Sequence, residues 1–237
     1  MHIGTAVRTP AGTTEISVLV SGVPQPLYRH PSGGRPFVAG QPGRFYTLRV
    51  RNLTAARIEV INSVDGRNTL KDEPGDIAAN QGLVFPAHAT GEFTGWRVNR
   101  EETREFIFGE PSRSVAAQAT GSEANTGVIG FAVYRERSYA YATTYNAAAP
   151  VVAAATFDCD WGDEPVVRGS SLGTGIGERR EDRVAPTSFT RAMSEPDVLV
   201  VGYETEHILH ERGLTGPAEP DAFPGVGTGY ERYPSSK

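Results

Sequence analysis

The chain has 237 residues, a single cysteine and a formal charge of −5, from 23 Lys and Arg against 28 Asp and Glu. That excludes an intramolecular disulfide framework and a multi-cysteine zinc site, and disfavours a general nucleic-acid binder, which needs clustered cations to neutralise phosphates. Hydrophobic residues make up only 38%, beside 27 Gly and 17 Pro, so the expectation is one good core with a large share of turn, loop and extended chain.

Residues 1–13 read as a polar, turn-rich N-terminal arm ending near Thr9-Pro10-Ala11-Gly12. They lack a charged segment followed by an apolar one, so Sec export is not expected; cytoplasmic synthesis follows, with the final location open. Residues 15–21 form a first strand with Ile16, Val18 and Val20 on one face. Residues 27–30 and 35–38, separated by Pro31-Ser32-Gly33-Gly34, read as a hairpin. Strands over 45–52 and 57–64 follow, with Leu48 and Val50, then Ile58, Val60 and Val64, at period two. Asp65-Gly66 breaks the chain after the second of these, since Gly supplies the positive φ that a tight turn needs.

After Leu70 the composition becomes that of a long surface loop, residues 70–80, of the kind that often carries function. Strands are expected over 83–85, 92–98 (carrying Trp96 into the sheet) and 104–108, and the most strand-like run of all, 126–135, as a central strand. Between the last two, residues 114–120 make one or two helical turns with Ser114 as N-cap and Gly121 as the stop. The fold class is therefore all-β: an antiparallel β-sandwich of the immunoglobulin or jelly-roll kind over residues 14–137.

Beyond Arg137 the texture changes. Residues 138–186 read as an Ala/Tyr- and Gly-rich linker or arm, 187–213 as a small extension with strands over 187–193 and 197–201 and a short helix over 204–212, and 214–237 as a Gly/Pro-rich tail. The longest apolar-rich run, 147–157, is too short to span a bilayer and contains Pro150, so no membrane insertion is expected.

Four motifs invite a chemical reading. Gly169-Ser170-Ser171-Leu172-Gly173 matches the nucleophile elbow, but Thr174-Gly175-Ile176-Gly177 cannot start the helix that must follow it, so a Gly/Ser loop is the better account; a hydrolase would need Ser171 with His207 or His210 as base. Gly173-Thr174-Gly175-Ile176-Gly177-Glu178 lacks the third glycine of a dinucleotide loop and sets Glu178 where phosphate would be repelled. The carboxylates of residues 158–164, around Cys159, offer oxygen ligands to a hard cation but depart from the EF-hand pattern, so a solvated acidic loop is preferred. His207 and His210 share a helix face at i, i+3 without metalloprotease spacing, and read as the polar side of an amphipathic helix. No cofactor is expected.

The functional clue is a set of aromatics in the extended segments: Tyr139, Tyr141 and Tyr145, with Tyr230 and Tyr233 in the tail. Aromatic and Arg side chains in otherwise Ala/Gly/Pro-rich arms are typical of segments ordered by a partner protein. Separately, Ser63-Val64-Asp65-Gly66, Gly95-Trp96-Arg97, Asn125-Thr126-Gly127-Val128-Ile129-Gly130 and the Gly173 to Glu178 stretch are similar to an uncharacterised family of bacterial β-rich proteins. That resemblance implies a β-rich fold and carries over no catalytic or binding residue. The reading is of a non-enzymatic structural protein whose sandwich and arms bind other protein subunits in a large assembly, with a phage virion surface or cement component its most concrete form. The alternatives are a bacterial binding module presenting the 70–80 loop to carbohydrate or protein, and a serine hydrolase using Ser171.

Overall fold

A computed structural model of the chain describes residues 4–78, 81–137 and 170–216. In chain order the strands are β1 (Val7–Arg8), β2 (Thr14–Val20), β3 (Val23–Pro24), β4 (Leu27–Tyr28), β5 (Phe37–Ala39), β6 (Phe45–Asn52), β7 (Ile58–Val64) and β8 (Arg67–Asn68). They continue as β9 (Leu83–Phe85), β10 (Thr90–Phe93), β11 (Gly95–Arg97), β12 (Glu102–Gly109), β13 (Val128–Arg135), β14 (Gly173–Glu181) and β15 (Asp197–Glu204). Among the described residues there are also two short α-helices, α1 (Val115–Thr120) and α2 (Glu206–Glu211), with a 3-10 turn at Pro111–Arg113 just before α1.

The strands form two sheets packed face to face, an all-β sandwich. In the first, β2 is flanked by β1 and β3 on one side and β6 on the other, and β14 lies beyond β12. Strands β6 and β12 pair directly only at Tyr46↔Phe106 and Phe45↔Ile107, because β10 pairs with the far half of β6 and β11 with β12, wedging between them. The second sheet runs β4-β5-β15-β13-β7-β8, with β9 also on β7. Strands β5 and β15 pair in parallel, so this sheet is mixed.

Period-two patterning produces the core. Along β6, Tyr46, Leu48, Val50 and Asn52 are buried while Phe45 and Arg51 face out. Strand β7 is buried on both faces: Ile58, Val60 and Val64 join the main core, whereas Ile61 packs with Ala132 and Tyr134 beneath Phe189 and Val198. The β7–β8 hairpin turns on Asp65 (φ 50°) and Gly66 (φ 75°), the two-residue Asp-Gly loop whose positive φ values match the twist of the strands it joins. In α1, Ser114 Oγ accepts the Ala117 N–H at 3.0 Å and left-handed Gly121 closes the helix.

Several expectations require correction. Residues 173–181, assigned to the linker, form β14, which runs along the whole of β12. Their alternating glycines carry no hydropathy signal, yet they are what packing demands. A Cβ on Gly173 would lie 2.7 Å from Ser114 Cβ, and one on Gly177 would lie 2.6 Å from the Phe45 ring. Residues 197–204 are no appendage, because β15 sits between β5 and β13 and contributes Leu199, Val201 and Tyr203 to the main core. Residues 187–193 form no strand; Arg191 makes a single bridge to Glu136. The 92–98 strand breaks at Thr94, where β10 leaves β6 and β11 joins β12. The arm is anchored from Gly4 onward, with Val7 in the core, and the 214–237 tail begins with a buried Leu214 and with Thr215 bridged to Arg29. The sandwich therefore draws on described residues on both sides of 14–137, from Val7 in β1 to Glu204 in β15. Among the described residues no helix is long and apolar enough to cross a membrane.

Candidate functional site

Polar chemistry in this molecule divides between a closed interior and an open cleft. At the heart of the interior is Asp65, 1% exposed although it sits in a turn. Its Oδ1 accepts the Gly127 N–H at 2.9 Å and the Tyr203 O–H at 2.6 Å, and its Oδ2 accepts the Thr174 N–H at 2.7 Å. Thr174 Oγ1 lies 2.7 Å from Tyr203 Oη and 2.7 Å from Tyr46 Oη. Tyr46 and Thr174 belong to the first sheet and Tyr203 and Asp65 to the second, so the cluster joins the two layers. Burial pushes the Asp65 carboxyl up to about 6, against the lowering effect of its hydrogen bonds. Burial and the nearby Asp65 charge push both tyrosine hydroxyls well above their usual range.

A second buried carboxylate, Glu204, is wholly inaccessible at the end of β15. It accepts from Ser170 Oγ (3.1 Å), from the Ser171 N–H (2.9 Å) and Oγ, and from the Thr205 N–H (2.8 Å), and it pairs with Arg212 at 3.3 Å. The Ser171 hydroxyl is held on this buried carboxylate, with no imidazole among its hydrogen-bond partners in the described residues, and the chain after it enters β14 rather than a helix, which is not the nucleophile-elbow geometry.

The open site is a cleft of about 1160 Å³. One wall is the β9–β10 region, another the turn after β11, and the third is extended chain from Asp182 to Arg191. That extended segment is pinned at both ends by ion pairs. At one end Asp182 meets Arg97 at 3.0 Å, with side chains 15% and 9% exposed, and also accepts from Thr94 Oγ1. At the other, Arg191 meets the buried Glu59 at 2.7 Å and lies 3.9 Å from the Tyr134 ring centroid. Between them the Arg57 guanidinium reaches Thr187 and the Ser188 carbonyl, and its pairing with Glu136 holds that carboxyl below the usual carboxylate range. Charges inside the cleft are therefore largely neutralised.

Exposed apolar side chains and cations occur on this lining and on segments that adjoin it in sequence. Val98 is 49% exposed on the lining, Met193 is 94% exposed two residues beyond Arg191, and Ile77 is 55% exposed on a loop tied by its carbonyl to Tyr134 Oη. These are three of the six large apolar side chains exposed among the described residues. Arg100 and Arg183, also on the lining, make no side-chain ion pair or hydrogen bond among the described residues.

Other residues singled out from sequence fall into structural places. Trp96 is buried in the core, donating its indole N–H to the Gly175 carbonyl at 3.1 Å and meeting Phe106 edge-on. The Gly173 to Glu178 stretch is a strand, not a phosphate-binding turn. On α2, His207 and His210 pair at i, i+4 with Glu211 and Glu206, and His210 packs edge-on against Tyr28, while Leu209 is buried. The 70–78 part of the long loop is fastened to the body, through Arg67 to Asp72, Tyr134 to Ile77 and Arg191 to Ala78. Tyr139, Tyr141, Tyr145, Tyr230 and Tyr233, and the acidic stretch 158–164, lie outside the described residues.

Sequence reasoning missed the cleft because its walls come from segments far apart in the chain. It also took Asp65 for an ordinary turn residue. Comparison of the chain with protein-family models, curated proteins and solved structures finds no match.

Proposed function

We propose that this chain is a non-enzymatic structural protein whose β-sandwich binds neighbouring protein subunits in a larger assembly, a virion surface or cement layer being the most concrete setting. The observation that carries the reading is the mouth of the cleft. On its lining a half-exposed Val98 lies with Arg100 and Arg183, and Met193 stands exposed two residues past Arg191, the end of the extended wall; apolar surface together with arginine is the mixture found at protein interfaces. The extended segment across the cleft is held by buried ion pairs, so the surface is rigid before a partner arrives. The Tyr-bearing segments 138–145 and 217–237 add further contact area in this reading.

A photo-crosslinking residue placed at Val98 or Met193 tests it in the native particle. Crosslinks to an adjoining subunit at both positions, and weaker incorporation of Val98→Asp and Met193→Asp chains that still fold, are expected. Unaltered incorporation of both variants, with no crosslinked product, would refute the cleft as an interface. Reaction of Ser171 with a fluorophosphonate probe would instead support hydrolase chemistry.

A further inference from the structure

The hydroxyls around Asp65 obey a simple count. Three O–H groups, on Tyr46, Thr174 and Tyr203, are linked to one another and to the carboxylate by three O···O contacts of 2.6–2.7 Å. With Asp65 ionised, each hydrogen has one acceptor: Tyr46 donates to Thr174, Thr174 to Tyr203, and Tyr203 to Asp65. The carboxylate accepts only, so the direction of the whole chain is fixed by its charge. The backbone donors, Gly127 and Thr174 N–H, approach separate lone pairs and are indifferent to that direction.

We infer that Asp65 is a pH-responsive tie between the two sheets, whose protonation reverses the donor direction of the Tyr46–Thr174–Tyr203 chain and strands one hydroxyl hydrogen at its far end. A proton on Oδ1 is donated to Tyr203 Oη; Tyr203 then donates to Thr174 and Thr174 to Tyr46. Four hydrogens now share three contacts, and the Tyr46 O–H, 1% exposed, has no second acceptor among the described residues. No bond other than O–H changes, and the proton comes from solvent.

The groups that face Asp65 come from four elements. Strand β15 presents Tyr203, β14 presents Thr174, β6 presents Tyr46 on the far side of Thr174, and β13 with the residue before it presents the Val128 backbone and the Gly127 amide. On the hairpin itself, Arg67 is engaged with Asp72 at 2.8 Å. Ionisation therefore depends on burial and on the tyrosine and backbone donors rather than on a cationic partner. Burial places the transition near 6, within reach of mild acidification.

Carbon-13 NMR of the full chain over a pH series tests this. The Asp65 carboxyl carbon and the ζ carbons of Tyr203 and Tyr46 are expected to shift together with one midpoint near 6. Thr174→Val keeps the backbone donor but removes the middle hydroxyl, so Asp65 and Tyr203 should still move together while Tyr46 becomes silent. In Asp65→Asn both tyrosine signals should lose their response in this range, which provides a second test if the valine variant does not fold. An Asp65 midpoint near the ordinary carboxylate value of about 4, Tyr46 still following in Thr174→Val, or both tyrosines still titrating in Asp65→Asn would each overturn the inference.

Discussion

Asp65 should contribute stability that grows as pH falls from neutrality, opposite in sense to a carboxylate whose pKa folding lowers. Its carboxyl titrates near 3.8 when free and near 6 in the folded chain. Between those values the native state holds a proton that the unfolded chain has released, so stability is fully present below the lower value and is lost as pH rises through the upper one. That difference corresponds to about 3 kcal/mol in full. Relative to neutrality, the gain is about 1 kcal/mol near pH 5 and about 2 kcal/mol near pH 4. Other carboxylates act in the opposite sense, Glu136 among them, since Arg57 holds it below its usual range. The comparison that isolates Asp65 is therefore the stability of wild type minus that of Asp65→Asn, from urea unfolding at each pH. The asparagine amide faces the Thr174 N–H and imposes a constant penalty, but it does not titrate. The difference should widen in favour of wild type by about 2 kcal/mol from neutrality to about pH 4. A difference that stays flat, or narrows on acidification, would refute the placement of a buried, raised carboxyl in the core.

Arg191→Ala should cost about 2–4 kcal/mol in urea unfolding, because the Glu59 side chain it leaves behind is only 8% exposed; a loss below about 0.5 kcal/mol would show the pair to be dispensable. Ser114→Ala should cost about 1 kcal/mol through loss of the α1 cap. Gly173→Ala should destabilise by about 1–3 kcal/mol because its Cβ meets Ser114 and the Pro111 backbone. Its cross-strand partner Gly109 faces open space, so Gly109→Ala should change stability by less than about 0.5 kcal/mol. Equal effects at the two glycines would contradict the packing reason given for β14.

What could be read beforehand follows from the range over which each signal acts. Strands β6, β7 and β13, the Asp65-Gly66 hairpin and the Ser114 cap all depend on residues within a few positions of one another, and period-two burial or turn chemistry displays them directly. Strand β14 was hidden because glycines occupy the positions that would otherwise alternate, and the reason for them lies in Ser114, Pro111 and Phe45. As for β15, Val198 to Val201 look extended locally, but placing them beside β5 requires a parallel pairing between opposite ends of the chain. The same remoteness hid the cleft, whose ion pairs join Arg97 to Asp182 and Glu59 to Arg191. Asp65 misled for a different reason. Aspartate at a left-handed turn position normally faces water, and only the tertiary donors Gly127, Thr174 and Tyr203 make its burial tolerable.

The most direct test of the assembly reading is the mass of the native particle containing the full chain, measured by light scattering after gentle isolation. A species many times the 25.4 kDa of one chain, from which Val98→Asp and Met193→Asp chains are depleted, is the predicted result. A stable particle of 25.4 kDa, unchanged by either substitution, would contradict it.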